Sequence, residues 1–254
     1  MVKNKHHLEV LKELKKNLKK TTKVNRDFEK RYVGTDKFCY SIRTADKEKA
    51  LKAFLKSHKG ISPKELALLL NSLFLGKSFE EVTVAGKLLE FLPKFKESFD
   101  IRFLDNWLNY TIGWAEVDSL CQANFGSDFI LDRWFEWEKL LEKFSNDKNV
   151  HKRRASLVLL TKACQQSDDP RLIKIAFANI EKLKTEKDIL ITKAISWLLR
   201  SLVRNNKSLV NDYLKENKNS LPKIAVRETE NKIKTGKKSK KELSSFYDKF
   251  YCLR

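Results

Sequence analysis

The stretch ILITKAISWLLRSLVR, Ile189 to Arg204, decides the fold by its spacing. Ile191, Ile195, Leu198 and Leu202 recur at steps of four, three and four, which at about 100° per residue collects them on one side of an α-helix. Lys193, Trp197, Arg200 and Arg204 fall on the opposite side. An apolar stripe of this kind is buried against other helices. The same periodicity returns in short blocks along the chain. It predicts helices over roughly 6–20, 46–57, 63–75, 78–92, 99–109, 114–125, 129–144, 149–165, 171–184, 188–205, 207–217 and 222–233. Short polar connections such as NDKN, QQSDDP and KTEKD separate the later blocks, as expected for antiparallel helix pairs stacked in series.

Composition agrees with an all-α fold. Only 7 Gly and 4 Pro in 254 residues leave little turn chemistry for a sheet, and 41% hydrophobic residues are too many for a disordered chain. Trp114, Arg154 and Trp197 lie 40 and 43 positions apart, within the period of about 40–47 residues of HEAT-type helix pairs. The expected architecture is a curved solenoid of HEAT-like pairs with a basic concave groove. Residues 1–234 form one helical repeat domain, and 235–254 form a basic C-terminal extension that packs back or stays flexible.

The charge balance narrows the partners. With 53 Lys+Arg against 33 Asp+Glu, the net charge is +20, which suits a polyanion, nucleic acid above all; a solvated Lys-rich surface is the plain alternative. Cys39, Cys121, Cys164 and Cys252 form no C-x-x-C pair, and the first three stand in apolar contexts that suggest buried thiols and a reducing, cytoplasmic location. His6, His7, His58 and His151 show no spacing that gathers ligands on one helix face, so no metal and no cofactor are expected. No apolar run approaches the roughly 18 residues of a membrane span, and the first residues carry no signal core. No Walker loop, nucleophilic Ser or Cys motif, or paired carboxylate constellation points to another enzyme class.

Three helices carry the candidate site. In GWAEVDSLCQ, from Gly113, the residues Val117, Leu120 and Cys121 make the packing side, and Trp114 and Asp118 lie toward one edge of it, about 40° apart. That pair reads either as a groove-side indole beside a carboxylate or as a core tryptophan beside an ion-paired aspartate. In Ile189–Arg204 an aromatic projects among Lys193, Arg200 and Arg204, as stacking beside a phosphate backbone requires; cation–π packing of Arg200 on Trp197 is the alternative. NVHKRRASLVLLTKAC, from Asn149, opens with Lys152, Arg153 and Arg154. Cations are mildly unfavourable at a helix N-terminus, so either an anion binds there or the charges are ordinary solvated ones.

In order and spacing, GWAEVDS, KRRAS and TKAISWLLR resemble the AlkD-type DNA alkylation repair proteins, which are DNA glycosylases built from HEAT-like repeats. RYVGTDKFCYSIRT, from Arg31, is similar to that family's N-terminal helix and short aromatic loop. Thr44-Ala45-Asp46 stands where the resemblance expects a proline to start the next helix, and the C-terminal tail is longer than the family's. The resemblance implies that Trp114 and Trp197 are cleft tryptophans and Asp118 the essential aspartate. It also makes Arg154 a DNA-contacting arginine and Tyr32 a further groove aromatic; the charge pattern itself puts Lys152, Arg153, Lys193, Arg200 and Arg204 on the same expected concave face. It implies a monomer acting on double-stranded DNA and excising cationic N3- or N7-alkylated purines without drawing the base into a pocket, unlike most glycosylases. Beside it stand a catalytically silent nucleic-acid-binding solenoid and a basic scaffold for an acidic protein.

Overall fold

The computed structural model describes residues 4–16, 26–97 and 99–239. Among them it contains fifteen helices: α1 Lys5–Lys16, α2 Arg26–Val33, α3 Thr44–Ser57, α4 Pro63–Phe74, α5 Phe79–Glu90, α6 Pro93–Glu97, α7 Arg102–Trp107, α8 Gly113–Cys121, α9 Ser127–Leu131, α10 Trp134–Ser145, α11 Val150–Gln166, α12 Pro170–Leu183, α13 Ile189–Leu202, α14 Lys207–Asn217 and α15 Lys223–Thr235. Among the described residues the sole β-type pairing is a parallel bridge between Phe38 and Ser78. The fold is all-α. The chain divides into two compact units, one ending at Leu120 and the other opening at Cys121.

In the first unit, helix starts are fixed by local chemistry. Ser62 and Ser78 each accept from the backbone three residues on and receive the Glu65 and Glu81 carboxylates in return, the reciprocal capping box of α4 and α5. The core gathers around Trp107, whose ring stacks on Phe74 at 4.4 Å and Phe103 at 5.5 Å and whose Nε1 donates to Asn71 Oδ1. α1 packs on α3 and α4. Its consecutive histidines diverge: His7 is buried between Ser72 Oγ at 2.7 Å and Glu81 Oε1 at 2.8 Å, while His6 is half-buried beside Phe54 and His58.

The second unit repeats a simple plan. The pairs α10/α11, α12/α13 and α14/α15 follow one another; α11, α13 and α15 lie side by side, and α10 packs on α12. The stripe Ile191, Ile195, Leu198 and Leu202 is fully buried, each side chain stabilising the fold by roughly 1.5–3 kcal/mol. α11 is buried on nearly all sides from Arg154 to Thr161, as a central helix must be. Asn149, Asp169 and Asp188 cap α11, α12 and α13 through their side chains.

Several expectations are refined. The helix expected over 129–144 is two, α9 and α10, broken at Asp132 and Arg133; the break lets Phe129 and Trp137 both meet Phe125, at 5.3 and 5.1 Å. The expected helical blocks do not include α2 or α6, a charged eight-residue helix and a five-residue one, both too short to show a clear stripe. α3 starts at Thr44 without a proline, and Arg43 makes no capping bond. The last residues of the first expected helix, 17–20, and residues 240–254 of the C-terminal extension lie outside the described residues. Cys39, Cys121 and Cys164 are buried free thiols, and burial pushes Cys164 up to about 12; Cys252 lies outside the described residues. No helix among the described residues is long and apolar enough to cross a membrane.

Candidate functional site

In the first unit the site is built around the start of α8. Gly34, which ends α2, and Gly113, which opens α8, both have φ of +75°, a region open to glycine. A Cβ on Gly113 would lie 2.4 Å from the carbonyl oxygens of both Val33 and Gly34, so the two chain segments meet backbone to backbone. That approach brings the next residue, Trp114, to Tyr32. The indole Nε1 donates to the Tyr32 carbonyl at 2.7 Å, and the two rings meet edge to face at 5.6 Å. Trp114 rests on Val33, Cys39, Phe79 and Ala115 and is half-buried; Tyr32 is exposed.

Asp118 sits one turn further along α8 and is 3% exposed, with Val117, Leu120 and Cys121 wholly buried beside it. The same helix holds a second buried carboxylate. Glu116, about 200° around from Asp118, accepts from Thr35 Oγ1 at 3.1 Å, Lys37 Nζ at 2.5 Å and the Ile112 backbone N–H at 2.8 Å. Burial raises its pKa, and Lys37 and the hydrogen bonds pull it back. Lys37 also donates to the Tyr110 carbonyl at 2.6 Å. From α5, Glu80 accepts from the backbone of Tyr40 at 2.8 Å and of Ile42 at 3.3 Å. Two carboxylates on two helices therefore fix the aromatic loop of residues 35–43. Sequence reasoning missed Glu80 and Glu116, whose only signal was acidic residues on otherwise apolar helices, and Lys37, a loop cation with no signal of its own.

In the second unit Lys193, Trp197 and Arg200 share one face of α13, at successive turns. Lys193 is exposed and Trp197 and Arg200 are half-buried; Arg204, also exposed, follows the end of the helix. This separates Trp197 and Trp114 from Trp107 and Trp137, which are core residues at 1% and 0% exposure. Arg200 Nε lies 3.5 Å from Glu228 Oε2 of α15, and Ser196 Oγ donates to the same oxygen at 2.7 Å. Burial lowers the Arg200 pKa, and Glu228 acts against that.

The cations of α11 are bound into the protein. Arg154 is buried and donates through Nη1 to the Leu190 carbonyl at 2.6 Å, tying α11 to the first turn of α13. Arg153 pairs with both Glu186 oxygens, at 2.8 and 3.1 Å, and donates to the carbonyls of Asp147 and Lys148 at 2.8 Å. Lys152 Nζ lies 3.6 Å from Asp147 Oδ2. For Arg153 and Lys152 an external anion is thus not needed to explain charge at a helix N-terminus, since Glu186 and Asp147 supply it.

One further group could hold a metal. His6 and Glu9 of α1 and His58 beyond α3 bring three ligand atoms within 4.8 Å of one another. Histidine spacing along single helices could not reveal it, because two helices contribute.

A model of the DNA alkylation repair enzyme family matches residues 10–233. Among solved structures, the chain is similar to a predicted DNA alkylation repair enzyme from Enterococcus faecalis, with a TM-score of 0.66 and 19% identity over 82% of this chain and 96% of that chain. At that identity the likeness speaks for the fold. No curated protein matches.

Proposed function

Since the chain belongs to the DNA alkylation repair enzyme family, we propose that it is a DNA glycosylase that releases cationic N3- or N7-alkylated purines from duplex DNA. The observation that carries this reading is on α8: a carboxylate, Asp118, one turn from a half-exposed indole, Trp114, that is locked to the Tyr32 backbone. An alkylated purine is already a cationic leaving group and needs no acid to protonate it. As the glycosidic bond lengthens, positive charge passes to the deoxyribose, where Asp118 stabilises it and orients the attacking water. In the first unit Trp114 and Tyr32 contact the sugar and phosphate of the damaged strand; in the second, Trp197 makes a DNA contact of its own. Lys193, Arg200 and Arg204 neutralise phosphates, and Arg154, with Lys152 and Arg153, supports that charge from α11. The stacked pairs α10 to α15 are, on this reading, HEAT-like repeats.

The test is incubation of the purified chain with alkylated duplex DNA, scoring released bases and abasic sites. Release that disappears in Asp118→Asn supports the proposal. A second reading, a DNA-binding protein without catalysis, draws on the burial of Asp118, which leaves little of the carboxylate open to a substrate. Duplex binding with no base release above background would favour it.

A further inference from the structure

His6, Glu9 and His58 lie in the first unit and take no part in the proposed glycosylase chemistry, so a role for them is independent of it. Glu9 Oε2 lies 3.0 Å from His6 Nδ1 and 3.0 Å from His58 Nε2. The far side of the His58 ring is fixed: Nδ1 donates to the Phe54 carbonyl at 2.9 Å, with Ser57 Oγ at 3.2 Å. With the Nδ1 proton so used, Nε2 turns a lone pair toward a carboxylate oxygen. Two lone pairs do not share 3.0 Å unaided, so a proton or a cation stands between them.

The surroundings favour the cation. Ligand atoms around a tetrahedral ion with bonds of about 2.0–2.1 Å stand roughly 3.3 Å apart, close to the two 3.0 Å separations from Glu9, and all three ligand atoms lie within 4.8 Å of one another. Metal-bound histidines direct their second nitrogen at an acceptor, which fixes ring and tautomer. His58 does so with the Phe54 carbonyl. The second nitrogen of His6, Nε2, faces Glu65 Oε1 at 3.7 Å, and Glu65 is itself held in place by the α4 capping box through its other oxygen. Both imidazoles are braced by the buried Phe54 ring, His58 stacked on it at 4.3 Å and His6 edge-on at 6.0 Å. The side chains of His6, His58 and Glu9 are 15%, 24% and 34% exposed, so an ion can enter and a water can complete its shell.

We propose that His6, Glu9 and His58 form a binding site for a divalent first-row transition ion, zinc in particular, that pins α1 to the end of α3. The donor set of two imidazoles and one carboxylate suits zinc and leaves a fourth position for water.

The full chain, purified without an affinity tag and stripped with a chelator, is titrated with zinc by calorimetry and with cobalt by absorption. One ion per chain is expected, with cobalt ligand-field bands, no thiolate charge-transfer band, and a rise in the thermal midpoint on adding zinc. Glu9→Gln and His58→Gln should each weaken zinc binding about 100-fold or more, since removing merely supporting groups already costs about 10–100-fold, and should abolish the zinc-dependent midpoint shift. Glu9→Gln preserves shape, so it keeps the test valid if His58→Gln folds poorly. Absence of saturable binding, a thiolate band, or unchanged affinity in Glu9→Gln would overturn the proposal. DNA excision plays no part in these readouts.

Discussion

The indole N–H of Trp114 donates to the backbone carbonyl of Tyr32, joining the first turn of α8 to the end of α2 across 2.7 Å. Trp114→Phe keeps a ring and loses the donor, which should cost about 0.5–1.5 kcal/mol in denaturant unfolding. Trp114→Ala should stay below the roughly 3–5 kcal/mol of a fully buried tryptophan while impairing base excision. A loss of the full buried size would make Trp114 a core residue in energetic terms.

Gly113 is held by sterics on two counts. Alanine at φ +75° costs about 1–2 kcal/mol for conformation alone, and its Cβ would meet two carbonyl oxygens. Gly113→Ala should therefore destabilise the chain more than Gly34→Ala, whose Cβ would have Gly113 Cα at 3.3 Å as its nearest neighbour. Unfolding midpoints of the two variants side by side check the order.

Asp118→Asn keeps the shape of the side chain and removes its charge. A carboxylate about 4 Å from a developing unit charge, at an effective dielectric of about 20, is worth about 4 kcal/mol, or roughly 10³-fold in rate if felt only in the transition state. Single-turnover excision at saturating protein should fall by that order while duplex affinity holds. A rate within a few-fold of the parent would make the carboxylate structural.

The two groups of cations should separate experimentally. Lys193 is exposed, and Lys193→Ala should flatten the salt dependence of duplex binding by up to one phosphate contact, about 0.9 in the log–log slope. Arg153 is engaged by Glu186 and two carbonyls, so Arg153→Ala should lower stability and leave the slope nearly unchanged. A reversal of the pattern would move the DNA-facing charge from α13 to α11.

Glu116 makes stability depend on pH. Burial raises its folded pKa above the ordinary carboxylate value, so within that window the folded chain holds more protons than the unfolded one, and stability falls as pH rises through it. Lys37 opposes the rise most strongly; Lys37→Met should raise the value further and extend the window upward. The stability gap between the parent and Lys37→Met should therefore widen as pH rises above the ordinary carboxylate range, apart from a constant part due to the lost Tyr110 contact. A gap that stays flat with pH would remove Glu116 as its source.

What was legible in the sequence was whatever a single helix encodes by itself. The stripe of α13 reads directly from Ile191 to Leu202, and the same spacing shows that Trp197 does not belong to it. The break between α9 and α10 was not legible, because three rings from separate segments, Phe125, Phe129 and Trp137, decide it. The partners of Lys152 and Arg153 escaped for the same reason: Asp147 precedes the helix and Glu186 comes from the next pair. Glu116 and Asp118 are two residues apart and chemically alike. Only the fold shows that one is spent on the aromatic loop.

The paired histidines of α1 also join segments made at different times during synthesis. Each is read by the cap carboxylate of a different later helix, His6 by Glu65 and His7 by Glu81. On a growing chain, residues 5–16 emerge before either partner exists, so these two contacts close only after residues 65–81 have followed, whatever α1 has already packed against on α3. Once made, they tie the first helix of the unit to the capped starts of both α4 and α5, so a start shifted by one residue in either would carry its carboxylate away from its histidine.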